Sequence, residues 1–295
     1  MLYSLGREQV DKLLKMRLMP EFLGAEMLMV SFETDPTIAS QILPKPLSLG
    51  QGGRAVAFVA KYPETNFGCV YNEGALLVGC DFKGEQGFYC LSMPVNDDMA
   101  LIAGREHFGY PKKIAESITL EREGDRVTGS VIRKGTEIMR IECRLSGEAP
   151  EPYMGDLAVP VVDWNGQACQ KVIVYLFKYF PSPRGRGFDY LPRLVREPVL
   201  FRHNEWPKAG TGTLKLGITP VDPLGELPVG EIVNMFYGEF HNTMLPGRVV
   251  ARAWDPMRFA RHAFFKTDMA VTLLDQYDLK DSERARSAWD LARRM

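Results

Sequence analysis

Neither sign of charge predominates in this chain: 36 Lys and Arg stand against 37 Asp and Glu, a formal net charge of −1. It carries no basic footprint of the kind that phosphate backbones or anionic lipids reward, which argues against nucleic acid as a partner. Long apolar runs are missing too. The longest, such as residues 172–177, fall far short of the roughly 18 to 20 residues that cross a bilayer, so no membrane association is expected. Arg7, Glu8, Asp11, Lys12, Lys15 and Arg17 interrupt the start of the chain and leave no apolar core for a secretory signal. The five cysteines (Cys69, Cys80, Cys90, Cys143 and Cys169) are odd in number and never spaced C-x-x-C. That pattern argues against a disulfide scaffold or zinc knuckle and makes reduced thiols in a cytoplasmic protein the expectation.

Several chemistries also lack their anchors. The four histidines, His107, His203, His241 and His262, lie far apart without an H-E-x-x-H, so no metal is expected. The glycine-rich pieces at 50–53 and 210–212 have neither the Lys-Ser/Thr of a phosphate loop nor the strand-to-helix setting of a dinucleotide fingerprint, and read as turns. Residues 184–187, Arg-Gly-Arg-Gly, read as a solvated basic loop. No G-x-S-x-G elbow is present to seat a hydrolase serine.

What is present is an ordinary globular composition, 45% hydrophobic and 25% charged, across 295 residues. Length alone is compatible with two domains or one large β-rich one. Residues 5–16 have helical spacing and predict a short amphipathic arm. After a strand at 27–32, Asp35-Pro36 supplies an N-cap and first-turn pair for a helix running to about 42. Strand patterns follow at 54–62, 74–82 and 87–94. Hairpins are expected through 117–145, at the turn signals Glu123-Gly124-Asp125 and Lys134-Gly135-Thr136. Further strands are expected at 171–180, 190–201, 213–218 and 248–254, with a helix around 228–243. No βαβ alternation occurs, so a curled or closed, mainly antiparallel sheet fits the order best. An amphipathic helix over 281–295 ends the chain, either closing its own barrel or covering a neighbouring subunit.

One segment stands apart: Gly104-Arg105-Glu106-His107-Phe108-Gly109-Tyr110-Pro111-Lys112-Lys113. Proline fixes φ at 111 and pushes Tyr110 into extended backbone, so the two lysines leave a stiff, strand-like piece on opposite faces. Parity puts Tyr110, Lys112 and Ile114 on one face, which selects Lys112 as the inward residue. An amine held among apolar groups loses hydration of its charged form, which leaves more of it neutral and able to attack a ketone.

This stretch resembles the G-R-E…Y-P-K-K signature of the acetoacetate decarboxylase family, in which the first lysine of the pair forms a Schiff base. Activated lysine in that enzyme is a known example of nucleophilic catalysis. The resemblance extends over roughly residues 25–255, through Phe32–Asp35, Leu43–Leu47, Gly68–Glu73, Leu227–Val233 and Leu245–Arg248. It implies an α+β fold around a cone-shaped, closed β-barrel with a few flanking helices. The arrangement would be an N-terminal arm at 1–24, a barrel domain at 25–256 and a C-terminal helical extension at 257–295. It also implies a homo-oligomer.

By the same resemblance, Lys112 and Glu73 are the catalytic pair. Tyr71, Met93 and Tyr110 line the substrate pocket, and Arg105 makes either a substrate contact or a structural ion pair with Glu106. The implied substrate is a small keto acid, and the iminium itself is the electron sink, so no cofactor is implied. One departure bears on specificity: where decarboxylases carry an arginine suited to the substrate carboxylate, this chain has Ala25 followed by Glu26. Tyr71, two residues before Glu73, matches relatives resembling aldolases or dehydratases on keto acids. Loss of CO2, aldol or dehydration chemistry with the same lysine, and a non-catalytic binding barrel are thus the alternatives.

Overall fold

The computed structural model describes residues 3–16, 19–151, 157–184, 187–269 and 290–291. In chain order the elements begin with α1 (Arg7–Lys15), β1 (Glu21–Glu33), α2 (Pro36–Ile42), β2 (Ser48–Leu49), β3 (Arg54–Tyr62), β4 (Glu64–Thr65), β5 (Tyr71–Phe82) and β6 (Glu85–Val95). Next come α3 (Asp98–Ala103), a π turn (Gly104–Phe108), β7 (Lys112–Ile114), β8 (Ser117–Glu123), β9 (Arg126–Arg133) and β10 (Thr136–Glu148). The rest is β11 (Val159–Val162), β12 (Ala168–Lys178), β13 (Arg193–His203), β14 (Lys208–Leu216), β15 (Ile232–Met244), β16 (Arg248–Arg252) and α4 (Pro256–Ala263).

A closed barrel of seven strands organises the molecule, in the order β13-β12-β6-β5-β3-β1-β15, with β15 returning to β13. All neighbours are antiparallel except β6 and β12, so the barrel is mixed. Closure leaves no free edge within it. The hairpins β8-β9-β10, with β14, extend from β15 and fold back over the outside of β1, β3 and β5. Those three strands are therefore covered on both faces, which is why β3 reads as a nearly continuous apolar run. Its alternate residues Val56, Phe58, Ala60 and Tyr62 face the barrel interior, while Ala55, Ala57 and Val59 enter the core under the outer hairpins.

The helix at α2 forms as expected: the Asp35 carboxylate accepts hydrogen bonds from the amides of Thr37 and Ile38 at 2.7 and 3.1 Å, and Pro36 fills the first turn. Residues 228–243 correct the expectation of a helix. They hold β15, whose Phe236 and Phe240 point inward and whose Met235 and Tyr237 point outward. Pairing with both β1 and β13, far away in sequence, decides the matter. The first barrel strand opens at Glu21, inside the segment read as the arm, and a bulge at Gly24 shifts its register before Ala25. Helix α1 buries no residue. Of the expected terminal helix at 281–295, all but Asp290 and Leu291 lies outside the described residues, as do two residues of the basic loop at 184–187. Among the described residues no helix is long and apolar enough to cross a membrane, and all five cysteines are buried free thiols.

Candidate active site

The G-R-E-H-F-G-Y-P-K-K segment is built as a turn that aims one lysine into the barrel. Asp97 caps α3 by accepting from the Ala100 amide at 2.9 Å, and the π turn that follows ends at Gly109, with φ 102°. The amides of Gly109 and Tyr110 both donate to the Gly104 carbonyl, at 3.0 and 3.1 Å. Gly109 is required twice over: the left-handed φ favours glycine, and a Cβ would stand 2.8 Å from the Lys178 backbone. Strand β7 then runs parallel to β6, with Lys112 opposite Met93. Gly104 makes room for the lysine, since a Cβ there would lie 2.7 Å from both Cδ and Cε of Lys112.

Parity holds for the two lysines. Lys112 is buried in the barrel at 5% exposure, whereas Lys113 turns outward to Asp222 at 3.1 Å and the Val221 carbonyl at 2.6 Å. It fails for Ile114, which is 48% exposed because the strand ends there.

Lys112 is not a lone amine in an apolar wall. Its Nζ donates to Glu73 Oε2 at 2.7 Å and lies 3.4 Å from the Tyr71 hydroxyl. The rings of Tyr71 and Tyr110 face the same nitrogen, with centroids 5.0 and 5.8 Å away. Glu73, itself 4% exposed, accepts from Tyr71 at 3.4 Å and from Tyr62 at 3.3 Å. Burial, reinforced by the neighbouring Glu73 charge, holds the Tyr62 and Tyr71 phenols well above their ordinary range, so both remain proton donors. A buried charge pair survives only when such partners satisfy its remaining valences. An acceptor for the lysine's proton thus stands at hydrogen-bond distance.

This cluster opens on a cavity of about 380 Å³ inside the barrel. Tyr71, Glu73, Met93, Tyr110 and Lys112 all line it, which brings five of the six expected residues together. Arg105 is the exception. It lies outside the lining, with its guanidinium donating to the carbonyls of Lys112 and Lys266 at 2.9 Å each, so it braces the lysine turn from behind. Glu106 is exposed, and no ion pair joins the two. Ala25 is fully buried and carries no charge, while Glu26 faces outward, accepting from the Tyr237 hydroxyl at 2.8 Å. No arginine occurs among the described residues that line the cavity.

Three further residues escaped the sequence reading. Tyr62 reaches Glu73 from β3. Glu197 on β13 is fully buried; burial pushes its carboxyl up to about 8, against the opposing pull of Tyr110 and Lys112. The alternation Val195, Glu197, Val199, Phe201 was the available signal. Lys266, past α4, donates to the Gly109 carbonyl at 3.0 Å, and burial lowers its ammonium to about 7.

The family model described as acetoacetate decarboxylase (ADC) matches residues 9–253. The chain belongs to the acetoacetate decarboxylase family. Acetoacetate decarboxylase 2 of Mesorhizobium japonicum is 28% identical over 239 residues, covering 78% of this chain and 82% of that protein. In fold, the chain is similar to the crystal structure of acetoacetate decarboxylase from Legionella pneumophila. The TM-score is 0.72 at 21% identity, with 86% of this chain and 99% of that one covered. It is also similar to the enduracididine biosynthesis enzyme MppR complexed with the condensation product of pyruvate and imidazole 4-carboxaldehyde. There the TM-score is 0.63 at 20% identity, over 80% of this chain and 90% of that one.

Proposed function

We propose that this family member is a Schiff-base-forming lyase on a keto acid, with Lys112 as nucleophile and Glu73 as its proton acceptor and donor. The observation that carries the proposal is the 2.7 Å contact between Lys112 Nζ and Glu73 Oε2 on the wall of a buried cavity. Transfer of the ammonium proton to Glu73 leaves a neutral amine that attacks the substrate ketone carbon. The carbinolamine oxygen takes up a proton and departs as water, which yields the iminium. In decarboxylation the bond to the carboxylate then breaks, its electron pair moves toward the iminium nitrogen, and CO2 leaves. The resulting enamine is protonated on carbon, and water hydrolyses the new iminium to release the ketone and restore Lys112. Glu73 is within reach of each proton that moves at the nitrogen or the carbinolamine oxygen. Tyr62 and Tyr71 orient its two oxygens.

A second reading keeps the iminium and replaces loss of CO2 with aldol condensation or dehydration. It is favoured by the absence of a lining arginine among the described residues and by the Tyr71–Glu73 pair. Measuring CO2 release from 3-keto acids beside product formation from pyruvate plus an aldehyde separates the two. In either case Lys112→Arg, which keeps the charge but not an accessible amine, is expected to abolish turnover. Full activity in that variant would refute the assignment of the nucleophile.

A further inference from the structure

The cavity is much larger than a four-carbon keto acid needs, and its walls change character along their length. Its volume of about 380 Å³ falls in the range of about 300–1,000 Å³ typical of sites for drug-sized ligands. Polar groups gather at one end, around Lys112, Glu73, Tyr71 and Tyr62. Met99 on α3, which is 43% exposed, also lines the cavity. Beyond the polar end the lining continues along β3 from Tyr62 through Phe58 to Val56, six residues away, or about 20 Å at the usual strand rise. Facing strands contribute Met29, Leu77, Phe88, Val174 and Phe236 along that path. Ser31 and Asn242 are the polar exceptions, and the Asn242 amide nitrogen is already directed at the Met27 sulfur at 3.3 Å.

We infer that the substrate is a keto acid bearing a long apolar tail, with its keto carbon at Lys112 and the tail lying in the barrel along β3. This rests on the lysine reading above and adds the substrate class. A water-filled apolar channel is costly, whereas a hydrocarbon chain there removes its own surface and that of the wall from water. Each buried methylene strengthens binding about fourfold. The tail also accounts for a site without an arginine clamp: recognition shifts from the carboxylate end to the apolar end.

The test uses the purified protein with a series of 3-oxo acids: acetoacetate, 3-oxohexanoate, 3-oxooctanoate and 3-oxododecanoate. Borohydride is added to each, the adduct on Lys112 is quantified by peptide mass spectrometry, and kcat/KM is recorded in parallel. The half-saturating concentration for adduct formation should fall about 16-fold for each two-carbon extension until the cavity is full. Val56→Phe, which shortens the channel, should flatten that series. Adducts on Lys112 with no dependence on tail length, or tightest with acetoacetate, would overturn the tail assignment and leave the lysine reading intact. No adduct with any member would overturn both.

Discussion

Lys112 Nζ and Glu73 Oε2 lie 2.7 Å apart although the residues come from different strands, β7 and β5, and both are about 95% shielded from solvent. Such a pair stabilises little by itself, because desolvation offsets most of its attraction. Its value is chemical. In the proposed mechanism, the proton that leaves the lysine has its acceptor already in place.

Glu73→Gln keeps the shape and removes the acceptor. It is expected to lower kcat by about 10²–10⁴, the usual worth of a positioned acid or base, with a small change in KM. Steady-state kinetics check this; an effect confined to KM would contradict proton transfer as its role.

Tyr71→Phe and Tyr62→Phe each remove one hydroxyl from the Glu73 carboxylate. Each variant should lose roughly 10- to 150-fold in kcat, as expected for a hydrogen bond to a charged group worth about 1.5–3 kcal/mol. Because both act on one carboxylate, the double variant should fall short of the product of the single losses. Independent, multiplying effects in the double-mutant cycle would place the two tyrosines in separate roles.

Gly104→Ala puts a methyl group 2.7 Å from the Lys112 stem. The chain should still fold, with about 1–3 kcal/mol of overpacking cost visible in the melting temperature. Adduct formation should decline further than stability does, since the displaced stem carries the amine proposed as the nucleophile. Equal activity per folded molecule would argue against a close fit between the turn and the lysine.

Glu197 makes stability depend on pH. The unfolded chain ionises this carboxyl near its ordinary value of 4.5 and the folded chain near 8, so between those limits the folded state keeps a proton the unfolded state has lost. Its contribution is complete below 4.5, shrinks as pH rises toward 8, and is constant beyond. Glu197→Gln should remove that part of the decline in denaturation midpoints measured from pH 5 to 9. An unchanged slope would show that Glu197 is ionised throughout.

Much of this was legible in the sequence where local chemistry and burial agree. The strand at Arg54–Tyr62 can be read to the residue because both of its faces are apolar, and the helix after Asp35 because its cap and proline are adjacent. The inward lysine follows from alternation along a proline-stiffened segment. The strand at Ile232–Met244 was hidden, since Gly238, Glu239 and Asn242 break its pattern and its partners are remote in sequence. Arg105 reads as either a substrate contact or half of an ion pair because the chain alone does not reveal which carbonyls close behind a π turn. Glu197, between Arg196 and Pro198, resembles a surface residue until closure of the barrel turns it inward.

Trapping the covalent intermediate addresses the central claim most directly. Incubation with a keto acid and borohydride should inactivate the protein and leave one reduced adduct on the peptide carrying Lys112, absent from Lys112→Arg. Inactivation without an adduct, or an adduct on Lys113 or Lys266 instead, would contradict the account.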